Sequence, residues 1–170
     1  VFVTQASNPV GDVNGDGITE LPRAVLMAGY TDASASDAVY MLDWYAYGIG
    51  TLPAKVSTTY QNISDGWSLR IDQNWHDRIT AVKASDGGLS YVEFYEYRKD
   101  QPSIPLFSIY CATGSNREYY AGRSDLIQLG QTAQTIYFAK LTNGTQQSEL
   151  ALTAEEIQSR FSLVTLAWNN

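Results

Sequence analysis

Asp12-Val13-Asn14-Gly15-Asp16-Gly17-Ile18-Thr19-Glu20 places oxygen-bearing side chains at loop positions one, three, five and nine. Gly17 falls at position six, where a sharp turn is needed, and the main-chain carbonyl of Ile18 stands at position seven. This alternation suits a hard divalent cation, which takes six to eight oxygen ligands, so Asp12, Asn14, Asp16, Ile18 and Glu20 are the candidate calcium ligands. An Asx-rich turn would account for the Asn, Asp and Gly composition but not for the spacing. Arg23 occupies the twelfth position, where an EF-hand carries a bidentate Glu, and Pro22 interrupts any following helix. With so few carboxylates the expected affinity is weak, on the order of 10⁻⁴–10⁻³ M, the range of extracellular modules. The expectation is a structural Ca2+ that fills outside cells and leaves the site empty in cytosol.

The other residues capable of chemistry are scattered. His76 is the sole histidine, it neighbours Asp77, and no Gly-x-Ser-x-Gly elbow accompanies it. A surface turn histidine is therefore expected, and no catalytic residue is assigned. Cys111 is the one cysteine; it excludes an intramolecular disulfide and reads as a buried strand residue within the apolar run from Leu106. Glu93 and Glu96 lie three positions apart, an odd offset, so on a strand they face opposite ways and cannot form a glycosidase pair by themselves. Tyr91, Glu93, Tyr95 and Tyr97 share a face, with Tyr119 and Tyr120 later in the chain. Such a pattern serves either a sugar-stacking surface or a cross-strand ladder, and the ladder is the expectation.

Positioning these residues falls to sheet. With 170 residues, 44% hydrophobic and only 17% charged, the chain is long enough for a real core. Its 12 Tyr and 4 Trp, together with many β-branched residues, favour pleated structure. Alternation predicts strands over 18–26, 38–47, 55–60, 67–71, 78–84, 90–98, 106–112, 125–129 and 135–141. Pro22 fits the first of these only at an edge or bulge. The Gly48-Ile49-Gly50 turn makes residues 38–60 a hairpin, and the later turn signals, including Asn143-Gly144, imply an antiparallel meander. Thr153 followed by Glu156 is a capping box, with Leu152 and Ile157 as its hydrophobic staple, so a helix is expected over about 154–161. Leu163 to Trp168 reads as a terminal strand. The Asn62-Ile63-Ser64 break places a boundary near residue 60. The resulting expectation is an α+β chain, mainly antiparallel sheet with a C-terminal helix. It comprises a β-hairpin unit with the calcium loop over 1–60 and an antiparallel α+β domain over 61–170.

Residues 11–21 resemble the calcium loop of FG-GAP, integrin-type propeller repeats and are similar to dockerin loops. The FG and GAP signatures themselves are absent, and Arg23 replaces the dockerin acid. Asp65-Gly66-Trp67-Ser68-Leu69-Arg70-Ile71-Asp72-Gln73-Asn74-Trp75 resembles the opening of PsbP-like domains and of secreted bacterial lipoproteins of unknown function, with Asp72 where those carry Pro. These resemblances imply an antiparallel sheet flanked by helices, export and a noncatalytic role.

A formal charge of −7 argues against nucleic acid or an anionic membrane as partner. No run approaches the ~18 apolar residues that span a bilayer, and the start at Val1 reads as a mature or trimmed fragment. The functional expectation is an exported, monomeric, cell-surface binding or scaffold domain for a glycan or protein of the envelope. The alternative is a glycan-acting hydrolase or carbohydrate-binding module.

Overall fold

The computed structural model describes residues 10–34, 36–142 and 148–164. The first residues of the chain, the Asn143-Gly144 turn and the expected strand beyond Val164 lie outside the described residues. In chain order the strands are β1 (Leu21–Leu26), β2 (Tyr40–Ala46), β3 (Ala54–Asn62), β4 (Trp67–Arg70), β5 (Ile79–Asp86), β6 (Leu89–Glu96), β7 (Ile104–Thr113), β8 (Ile127–Gln131), β9 (Thr135–Leu141) and β10 (Phe161–Leu163). Two short helices accompany them, α1 (Arg117–Ala121) and α2 (Ala154–Arg160). The architecture is α+β, dominated by two antiparallel five-stranded sheets in the orders β1-β2-β3-β4-β10 and β5-β6-β7-β9-β8.

Both sheets bury one face in a common core. Met41, Tyr60, Trp67, Leu69 and Phe161 from the first meet Ile79, Phe94, Phe107, Ile109 and Tyr137 from the second. Tyr60 packs edge-on against Phe94 with ring centroids 5.3 Å apart, and Tyr137 lies 5.7 Å from Phe161. The boundary expected near residue 60 falls inside β3. Across it β3 pairs with β4 from Asn62↔Trp67 to Thr59↔Arg70, so the sheet carrying the expected hairpin continues into the later chain.

Pro22 sits on β1, the edge strand, where its missing N–H leaves no gap inside the sheet. The second sheet is not a simple meander. The connection after β7 contains α1 and carries β8 to the outer edge, and β9 returns beside β7. The C-terminal helix is started by its sequence. The Thr153 hydroxyl accepts the Glu156 N–H at 3.2 Å, and the Glu156 carboxylate accepts the Thr153 N–H at 2.8 Å. Leu152 and Ile157, the staple pair, both enter the core.

Candidate functional site

The acidic loop is closed by its own ends. Gly11 and Glu20 form an isolated antiparallel bridge, with N–H to carbonyl distances of 3.3 and 3.0 Å in the two directions. β1 begins immediately after it, so the chain leaves the loop as a strand rather than a helix. Gly15 and Gly17 turn the loop at φ of 77° and 84°, a region side chains other than glycine rarely occupy.

Inside this bracket the carboxylates point at loop amides. Asp12 accepts the N–H groups of Gly15 at 2.7 Å, Asp16 at 3.1 Å and Gly17 at 2.8 Å. The Gly17 amide, helped by those of Gly15 and Asp16, holds the Asp12 carboxyl below its ordinary value and keeps it ionised. Asp16 accepts the Ile18 N–H at 2.8 Å, and Asn14 donates its side-chain amide to Asp16 at 2.8 Å. The Asn14 side-chain oxygen in turn accepts the Asp16 N–H at 3.1 Å. One carboxylate oxygen from each of Asp12, Asp16 and Glu20 lies within 4.8 Å of the others. Of the five residues expected to ligate, the three acids therefore converge. Asn14 is tied to Asp16 beside them, and Ile18 supplies the loop with an amide donor and leaves its side chain exposed.

Glu20 differs from its neighbours in burial. It is 0% exposed; its Oε2 accepts the Val13 N–H at 2.8 Å, while its Oε1 makes no hydrogen bond. None of the ion pairs among the described residues involves Asp12, Asp16 or Glu20. A buried carboxylate oxygen without a donor or a cation is costly, and here it stands beside two further acids. The donor set is entirely oxygen, which suits calcium or magnesium rather than a softer metal.

The remaining candidates separate. His76 is not a free surface residue: its Nε2 donates to Asp43 Oδ1 at 3.0 Å. The same oxygen accepts the Thr58 hydroxyl at 2.7 Å and faces Lys55 Nζ at 3.2 Å. Burial alone would raise the Asp43 carboxyl, but the bonds from His76, Thr58 and Lys55 outweigh it and hold it below the ordinary value. This buried cluster joins residues far apart in the chain, and no local motif announces it. Cys111 is buried on β7, and burial pushes its thiol up to about 11. Glu93 accepts the Tyr95 hydroxyl at 2.8 Å, whereas Glu96 is engaged by Arg78 at 2.9 Å.

The aromatic face of the second sheet is a ladder. Tyr91 stacks on Tyr110 at 5.0 Å, Tyr110 on Phe138 at 5.0 Å and Phe138 on Tyr120 at 5.3 Å. The first two steps join directly paired residues of neighbouring strands, ~4.8 Å apart, and Tyr120 caps the stack from α1, so the rings turn their faces to one another. A sugar ring needs an aromatic face, and the inner members of this ladder offer none.

No protein-family model matches the chain, and neither a curated protein nor a solved structure is significantly similar to it.

Proposed function

We propose that the loop over residues 11–20 holds one structural calcium ion in a binding or scaffold domain that works outside the cell. The observation that carries this reading is the fully buried Glu20, whose Oε1 has no partner while Asp12 and Asp16 stand within 4.8 Å. Asp12, Asp16 and Glu20 would supply carboxylate oxygens, with Asn14 and the Ile18 carbonyl completing the set. The ion would supply positive charge, offsetting the mutual repulsion of the acids and fixing the Gly11–Glu20 bridge at the start of β1. A site with three carboxylates and no twelfth-position acid fills only at the calcium levels found outside cells, which supports an exported, envelope-facing role.

Thermal melting during a calcium titration tests this. At ten times the dissociation constant the native state gains about 1.4 kcal/mol, which for a chain of this size raises Tm by about 3–6 °C. Asp16→Ala should remove the rise. A native protein whose Tm ignores calcium would sink the assignment.

A further inference from the structure

The first sheet turns a polar floor away from the core. Tyr60 on β3, Trp67 and Leu69 on β4 and Phe161 on β10 point inward. By alternation Ser57 and Thr59, Ser68 and Arg70, and Ser162 point to the opposite face. The register sets them side by side, Thr59 beside Arg70 and Ser68 beside Ser162. A cleft of about 430 Å³ lies over this floor, within the ~300–1,000 Å³ of small-molecule sites. Val13 of the acidic loop and Leu163 of β10 give it apolar wall.

Of the described residues lining the cleft, three are charged, and two of those are already committed. Asp12 gives its carboxylate to loop amides at 2.7, 2.8 and 3.1 Å. Arg160 grips Asp72 through two guanidinium nitrogens, at 2.7 and 2.8 Å, and lies over the Trp75 ring. Arg70 is exposed and joins none of the ion pairs among the described residues. Asp72, whose carboxyl feels the Arg70 charge, is bonded to Arg160 instead. The hydroxyls divide in the same way. Thr59 accepts the Trp44 indole N–H at 2.8 Å, whereas no side-chain hydrogen bond among the described residues uses Ser57, Ser68 or Ser162. These uncommitted groups are accessible: Ser57 and Ser68 are half-buried, and Arg70 and Ser162 are exposed.

One uncommitted guanidinium presents a planar fork of N–H donors, which matches the two oxygens of a carboxylate. A single positive charge with Asp12 in the wall disfavours an anion of higher charge, such as phosphate. Each serine hydroxyl both donates and accepts, so its natural partner is another hydroxyl. Neighbouring strands stand ~4.8 Å apart, so Ser68 and Ser162 offer their hydroxyls at a spacing that a chain of adjacent hydroxyls spans.

We propose that this cleft binds a small polyhydroxylated carboxylate, Arg70 pairing with the carboxylate and Ser57, Ser68 and Ser162 with the hydroxyls. The proposal rests on reading the domain as a binding module and names a ligand class for it. It requires no ion in the acidic loop. The same chemistry arrives either as a free sugar acid or as one unit of an acidic glycan.

The test is an amide-resolved NMR titration of the whole chain, in calcium-free buffer and again with calcium. Gluconate and glucuronate represent the free acid, and trigalacturonate the glycan. At least one should bind with a dissociation constant of about 1 mM or tighter, shifting residues 57–59, 68–70 and 159–163. Binding by either source supports the proposal, and the tighter one identifies the source. Acetate lacks the hydroxyls and glucose lacks the charge, so each should bind at least about tenfold more weakly. Arg70→Gln should weaken binding about tenfold while leaving Tm unchanged, because the side chain is exposed and unpaired. Ser68→Ala should weaken it about 5-fold. Four outcomes overturn the proposal: no shift with any of the three acids, equal binding of glucose, undiminished binding by Arg70→Gln, or tighter binding of inorganic phosphate or of a polyglutamate peptide. Melting curves on the same samples keep the two readings apart. A Tm blind to calcium removes the staple and leaves the cleft standing, whereas a calcium-responsive Tm without sugar-acid binding removes the cleft alone.

Discussion

Two buried carboxylates in and beside the first sheet have opposite fates. Asp43 on β2 is 5% exposed, and one of its oxygens collects Thr58, His76 and Lys55. Glu20, at the start of β1, is 0% exposed; it collects one backbone amide and faces two other acids. The desolvation problem is the same in both places, and a buried charge must be matched. At Asp43 the chain supplies its own cation, Lys55 on β3, with hydrogen bonds from Thr58 and from His76 in the turn after β4. At Glu20 none of the ion pairs among the described residues supplies one, and the proposed calcium would take that place. The contrast sets a carboxylate matched by its own chain beside one that the chain leaves unmatched.

The largest effect should come from the self-sufficient side. Asp43→Asn keeps an amide oxygen but removes the negative charge that Lys55, Thr58 and His76 surround, and should cost about 2–3 kcal/mol of stability, measured by urea unfolding. That loss should be the same with calcium or chelator; a calcium-dependent loss would merge the two regions and break the comparison. Asp43 also sets a pH dependence. Its carboxyl is held below the ordinary 3.8, so its contribution is complete above that value and disappears as pH falls through the lowered one. Melting between pH 5 and pH 2 should therefore lose stability in wild type more steeply than in Asp43→Asn. Parallel curves would show that the cluster carries no linkage.

On the other side the effects are smaller and conditional. Calcium at ten times its dissociation constant should add about 1.4 kcal/mol, an increment that Asp16→Ala abolishes. Smallest is Glu20→Gln measured in chelator, which relieves repulsion while keeping an acceptor for Val13. It should leave stability unchanged or raise it by up to about 1 kcal/mol. A loss of several kcal/mol in chelator would mean that Glu20 is a structural carboxylate like Asp43.

Much of this was readable from residue order because the signals are local. Alternation located the strands to within a few residues, Thr153 and Glu156 fixed the start of α2, and Pro22 pointed to an edge. The acidic cluster was visible from the spacing of Asp12, Asp16 and Glu20. What remained hidden depends on long-range closure. Nothing in Thr19-Glu20-Leu21 says that Glu20 is buried. Asp43 and His76 lie 33 positions apart and meet only when the turn after β4 folds onto β2. The five-residue α1 is too short for a helical period to emerge, and with it went the order of β8 and β9.

The central claim is that Glu20 waits for a cation, and direct calcium binding reads it most simply. Equilibrium dialysis of the native chain should give one ion per molecule at a dissociation constant on the order of 10⁻⁴–10⁻³ M. Glu20→Gln, still folded, should weaken that binding about tenfold or more, as expected for a lost charged ligand. A native chain that binds no calcium, or a Glu20→Gln chain that binds it equally well, would contradict the claim.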